Sequence, residues 1–225
     1  MSMDFNFINF FLIILPLMVA VIAHEVAHGY AALRLGDPTA LRAGRLSLNP
    51  IRHLDVFGSF LLPLGLQLSG APILFGYAKP VPVNFANLRP FKAGTLIVAS
   101  AGVIVNFGLA LISAVLFRAL IYFMPALQTA LSETAMMLVL KLLVYSVTIN
   151  IVLAVFNLIP ILPLDGGRIV TALLPVRLQI KLIPLERFGF VILILLLLTN
   201  SLDFLMTFFI TPLTNWLLLA YNQPY

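Results

Sequence analysis

His24, Glu25 and His28 stand as His-Glu-Val-Ala-His inside a long apolar stretch. On a helix, residues four apart share one face about one turn apart, so two imidazoles at this spacing reach a single metal ion. Zn²⁺ suits such a pair, and Glu25, next to His24, is placed to act on a water molecule as general base. A charged side chain at the centre of a membrane span costs ~2.5–3.5 kcal/mol on insertion scales, and those that occur usually serve function. The bland alternative is a buried polar cluster that only holds helices together.

Two imidazoles leave the ligand set short by one. The remaining histidine, His53, lies outside the apolar spans. Asp165 is the better candidate, in the turn Pro163-Leu164-Asp165-Gly166-Gly167-Arg168. Its glycines permit tight backbone geometry around the carboxylate. Two His and one carboxylate, with a fourth position open to water, make a catalytic zinc set. Asp165 reads equally as a turn residue or as the partner of Arg168. There is no cysteine, which excludes disulfides and thiolate ligands.

The elements that must position these residues are membrane spans. Of the 225 residues, 62% are hydrophobic and 9% charged, against about 25% charged in a soluble domain. The chain therefore reads as one membrane-embedded domain over 1–225, an all-α polytopic bundle of about 4–6 transmembrane helices in a lipid bilayer. Its core covers about 6–170, and a C-terminal helical hairpin about 183–221. Spans are expected at Asn6–Leu35, Ala93–Tyr122 and Ala135–Ile159. Phe188–Ala220 is long enough for two short helices with a break near Thr199–Asp203. The first Lys or Arg is Arg34, so the opening apolar run lacks the basic start of a signal peptide and is expected to be a retained span. The net charge of +5 does not point to nucleic acid, because the basic residues are scattered through loops.

Charge also sets the topology. Arg34, Arg42, Arg45 and Arg52 follow the first span. Lys79, Arg89 and Lys92 precede the second, and Arg168, Arg177, Lys181 and Arg187 follow the third; only Arg118 and Lys141 fall elsewhere. Basic loops favour the cytoplasmic side, which places the three stretches together if Val56–Tyr77 is re-entrant. A full crossing by that segment would put Asp165 on the face opposite the histidines. Lys79-Pro80-Val81-Pro82-Val83-Asn84 reads as an extended, β-like segment near the site.

Taken together these residues resemble the site-2 protease family of intramembrane zinc metalloproteases. His24-Glu25-Val26-Ala27-His28 comes first. Gly102-Val103-Ile104-Val105-Asn106 resembles the family's middle core span, and Asn157-Leu158-Ile159-Pro160 leads to Leu164-Asp165-Gly166. The likeness covers about residues 15 to 170, in a compact form without PDZ or CBS domains. It implies one Zn²⁺ per chain held by His24, His28 and Asp165, with Glu25 as catalytic base. It further implies a multi-pass protein of a prokaryotic inner membrane that cuts transmembrane segments of other membrane proteins.

Other positions carry two readings. Asn106 and Asn157 would steady an oxyanion or the substrate backbone, or else join helices through hydrogen bonds. Lys79, Val81 and Val83 would offer a strand edge to an extended substrate, or else belong to a proline-rich connector. His53 would pair with Asp55 behind the site, or else anchor its loop. The phenylalanines at 5–11 and 204–209 read as lipid-facing or packing surface. The rival functions are a membrane metal-binding or transport protein and an inactive, helix-binding relative. Glu25 speaks against both, since neither needs a base beside a ligand.

Overall fold

The computed structural model describes residues 7–53, 55, 61, 65, 79–127, 132–182, 184, 186–199 and 202–218. Three of its helices are long and apolar enough to cross a bilayer, as expected of an integral, multi-pass membrane protein. The first, α1, is Phe7–Arg34. Its 28 residues give about 42 Å at ~1.5 Å per residue, against a hydrocarbon core of ~30 Å. A single helical turn, α2, follows at Thr39–Arg42. The second long helix, α3, is Phe91–Leu127, and the third, α4, is Glu133–Asn157. Ser132 caps α4 by accepting from the amide of Ala135, which satisfies one of the donors every helix start leaves open.

Shorter helices complete the described chain: α5 Asp165–Leu173, α6 Val176–Leu182, α7 Glu186–Leu198, α8 Leu202–Leu205 and α9 Thr211–Leu218. A π-helical stretch, Met206–Ile210, joins α8 to α9. Pro212 accounts for it: a proline has no N–H for the carbonyl four residues back, so the preceding turn widens. The 13 residues of α7 reach about 20 Å, short of a full crossing. Three helices of membrane length thus stand among the described residues, and the fuller expectation of about 4–6 is not confirmed by them. The re-entrant reading of Val56–Tyr77 falls almost wholly outside them. The described residues contain no strand. Residues 79–84 are not in a strand; the amides of Lys79 and Val81, which would face one side of a ladder, go instead to His53 O and to Glu25 Oε2.

Two compact units divide the chain: residues 1–20 with 103–225, and residues 21–102. The first unit buries Ala110, Ala114 and Phe117 of α3 with Leu140, Val147 and Ile151 of α4, and Ile210, Leu217 and Leu218 from the C-terminal helices. Small residues one turn apart on α3 let helix backbones approach closely, which lipid-embedded packing requires. Polar pairs stitch the same interface. The Ser113 and Ser146 hydroxyls lie 2.8 Å apart, and the Asn106 amide donates to Asn150 Oδ1 at 3.0 Å. Arg118 donates to the carbonyls of Trp216 and Leu217 at the end of α9. These carbonyls belong to the last described turn of α9, and the guanidinium meets the partial negative charge of a helix C-terminal end.

In the second unit Ala32, Leu88 and Val98 are fully or almost fully buried, with Leu35, Val83 and Phe85 packed around them. Asp37 is wholly buried just after α1. Its carboxylate accepts from the Thr39 hydroxyl and amide, from the Asn84 amide at 2.7 Å and from Asn87 Nδ2 at 2.8 Å. Burial pushes its pKa up, but these four donors outweigh burial and hold it below the ordinary aspartate value. The amide of Arg89 adds a bond to Leu35 O at 2.9 Å. Asp37 therefore ties the end of α1 to the loop before α3.

Candidate metal centre

His24 and His28 lie one turn apart on α1. Their Nε2 atoms are 3.0 Å apart, and the rings stand edge to face with centroids 4.6 Å apart. Two imidazoles on one tetrahedral zinc, at ~2.0–2.1 Å each, bring their nitrogens to about 3.3 Å, close to the separation seen. His28 Nδ1 lies 2.7 Å from Val98 O on α3. A carbonyl accepts only, so Nδ1 carries the proton and Nε2 presents its lone pair; this bond to the distal nitrogen is how metal-binding imidazoles are commonly oriented.

Gly102 of α3 explains how His24 is accommodated. A Cβ at that position would sit 2.5–2.6 Å from three atoms of the His24 ring, closer than any side chain tolerates. The glycine in Gly102-Val103-Ile104-Val105-Asn106 thus makes room for an imidazole, a role the sequence signalled only as a small residue. Glu25 is half-buried, and its Oε2 accepts from the amide of Val81 at 2.7 Å.

Asp165 opens α5 and is 9% exposed. A carboxylate in the first helical turn is favoured by the unpaired N–H groups there. The two glycines after it are required by close backbone approach. A Cβ on Gly166 would lie 2.2 Å from Leu158 O, and one on Gly167 would lie 2.4 Å from the carbonyl carbon of Ile161. The turn that leaves α4 at Asn157 therefore packs directly on the start of α5. His24, His28 and Asp165 each offer one ligand atom, and these atoms all lie within 4.8 Å of one another. The group fits a metal: two nitrogens and one carboxylate oxygen are the donors of catalytic zinc sites, and the glycine at 102 clears a space that any larger residue would fill.

The weaker sequence candidates separate. Asn106 is fully buried and bonds Asn150, whose own amide donates to Ser146 O at 2.9 Å. Asn157 Nδ2 donates to Leu153 O one turn back on α4, at 2.9 Å. Val81 has its amide on Glu25, so that donor is already engaged. His53 is buried, with Nε2 2.7 Å from Ser47 O, and its carbonyl accepts from the Lys79 amide at 2.9 Å; it anchors its loop. Arg168 pairs with Glu186 at 2.6 Å, a partner the sequence did not suggest. Asn150 was missed as well, because a single Asn in an apolar helix shows no sign of its mate.

The sequence profile described as peptidase family M50 matches residues 12–199. The chain is 34% identical over 212 residues to the "Putative zinc metalloprotease YwhC" of Bacillus subtilis, an alignment covering 92% of this chain and 83% of the relative. It is 29% identical over 194 residues to the Rip2 proteins of Mycolicibacterium smegmatis and Mycobacterium tuberculosis, which carry the same zinc metalloprotease designation. Those alignments cover 86% of this chain and 69% of each relative. No solved structure matches the chain.

Proposed function

Since the chain belongs to peptidase family M50 and is an intramembrane zinc metalloprotease, we propose that His24, His28 and Asp165 hold one zinc per chain and that Glu25 is the catalytic base. The observation that carries this reading is the meeting of three zinc-type donor atoms within 4.8 Å around an HExxH helix. A zinc ion bound there supplies Lewis-acid polarisation to water and to a peptide carbonyl.

The remaining chemistry belongs to the chain. Glu25 takes a proton from the attacking water and returns it to the leaving amine, so one carboxylate serves as base and then acid. His28, oriented through Val98 O, keeps its lone pair on the metal side. The substrate is a transmembrane segment of another protein. A helix conceals its carbonyls in its own hydrogen bonds, so the segment must unwind locally before it is cut. Sequences that weaken a helix near the scissile bond should be preferred. Asn106 and Asn157 remain candidates for steadying substrate, with their helix bonds as the resting arrangement. The extended edge at Lys79, Val81 and Val83 would act mainly through Val83, since the Lys79 and Val81 amides and the Lys79 carbonyl are engaged.

The test is zinc quantification on detergent-purified protein never exposed to chelator, paired with a cleavage assay on a panel of single-pass membrane segments. One zinc per chain and cleavage of at least one segment are expected. A zinc-free, inactive preparation would contradict the reading.

A further inference from the structure

The run Lys79-Pro80-Val81-Pro82-Val83-Asn84 is poor in amide donors, because two of its residues are prolines. Three of the donors that remain have assigned partners. The Lys79 amide goes to His53 O at 2.9 Å, the Val81 amide to Glu25 Oε2 at 2.7 Å and the Asn84 amide to Asp37 Oδ2 at 2.7 Å. Val81 is the only residue between the two prolines, and its single N–H lands on the residue read as the base.

The run is held at both ends. Arg45 donates to Lys79 O at 2.7 Å and reaches Pro80 O at 3.3 Å. Asp37 grips Asn84 and Asn87 at the other end. Between them the Val81 side chain is 7% exposed. It lies over Gly29 of α1, where an added Cβ would come within 2.9 Å of Val81 Cγ1. Prolines limit the backbone, two charged side chains pin it, and a glycine lets it sit against α1 one turn beyond Glu25.

We propose that residues 79–87 form a strap that positions the base. The Val81 amide fixes Oε2 of Glu25 and leaves Oε1 to exchange the proton, while Asp37 and Arg45 are positioning residues that hold the strap in place. This rests on the reading of Glu25 as base. A glutamate held by one oxygen has its carboxylate plane and reach set before substrate arrives. Misplacement by ~1 Å of a group that must meet a reacting atom costs on the order of 100-fold in rate.

The experiment compares Val81→Pro with Val81→Ala in the full chain loaded with zinc, reading kcat, KM and zinc content on one cleavable membrane segment. Alanine keeps the amide and loses more packing; proline keeps more packing and loses the amide. Val81→Pro should have a kcat about tenfold or more below that of Val81→Ala, with KM and zinc alike in the two. Equal kcat values would overturn the proposal, and so would a loss of zinc in step with activity. Should Val81→Pro fail to fold, Arg45→Ala and Asp37→Asn act from the strap's ends. Each should lower kcat several-fold at constant KM and zinc, and unchanged kcat in both would overturn it. Adding Val81→Pro to Glu25→Gln should cause no further loss, because the strap acts only through Glu25. A further drop would mean that the strap works elsewhere. Wild-type cleavage by Glu25→Gln alone would instead overturn the base reading itself.

Discussion

Two polar clusters sit within the membrane-length helices, and they are built on different logic. In one, Asn106, Asn150, Ser113 and Ser146 pair amide with amide and hydroxyl with hydroxyl between α3 and α4. Complementary donors and acceptors meet. In the other, His24 and His28 bring like atoms, two Nε2 nitrogens, to 3.0 Å, while Val98 O turns His28 so that its lone pair faces its neighbour. Two imidazole nitrogens gathered in this way, with the lone pair of neutral His28 turned toward the shared space, suit an electrophile. Burial alone does not separate a joint from a site; the chemistry of the facing atoms does.

The comparison breaks most visibly at the ligands. His24→Ala or Asp165→Asn should remove most of the zinc and take cleavage to background, because each deletes or weakens one of three protein ligands. Metal analysis beside the cleavage assay checks this. Retention of a full zinc complement by both variants would place the metal elsewhere. Gly102→Ala is the subtler probe. It alters no ligand, yet its methyl must displace the His24 ring, so zinc affinity should fall about tenfold or more, in the range seen when groups supporting a ligand are lost. A competition titration against a chelator would measure the shift.

The joint should respond in the opposite manner. Asn150→Ala removes the partner of Asn106 and should cost roughly 0.6 kcal/mol of stability, the average for hydrogen bonds between membrane helices, and at most about 1.7 kcal/mol. Zinc should stay bound. Thermal unfolding in detergent, followed with zinc content, would reveal it. Loss of zinc by this variant would mean that the two clusters are not separate in function.

These contrasts mark what the sequence could disclose. The three long spans were legible to within about two residues at most of their ends, because a membrane imposes a fixed length of apolar helix. His24, Glu25 and His28 were legible because i, i+4 spacing on a helix determines their geometry. Asp165 was legible as a candidate through its glycines, and the structure gives the reason: Gly166 and Gly167 lie too near the backbone of the preceding turn to carry side chains. Asn150, Asp37 and the Val81–Glu25 bond were not legible. Each depends on which residues meet across tens of positions, and one Asn, Asp or Val carries no periodic signal. The β-like expectation for residues 79–84 finds no strand among the described residues, and the alternation of the segment could not show that the amides of Lys79 and Val81 go to His53 O and Glu25 Oε2 instead of to a ladder.

Asp37 offers the smallest effect, outside the membrane-length helices. Its folded pKa is depressed, so its contribution to stability is fully present above the unfolded value of about 3.9 and is lost as pH falls through the lower folded value. Asp37→Asn should therefore be less stable than wild type near neutral pH, and the gap should close as pH drops below about 4. Unfolding midpoints across pH would show the convergence; a constant gap would mean that the carboxylate charge does not contribute.

The most direct measurement is zinc content and cleavage rate on the same preparation of Glu25→Gln. Glutamine keeps the shape of Glu25 and its acceptor toward the Val81 amide, but it cannot take up a proton. Since Glu25 is assigned as base and not as ligand, the variant should hold a near-full zinc complement while its cleavage falls by ~10²–10⁴. Cleavage at the wild-type rate, or loss of zinc in proportion to loss of cleavage, would contradict the account.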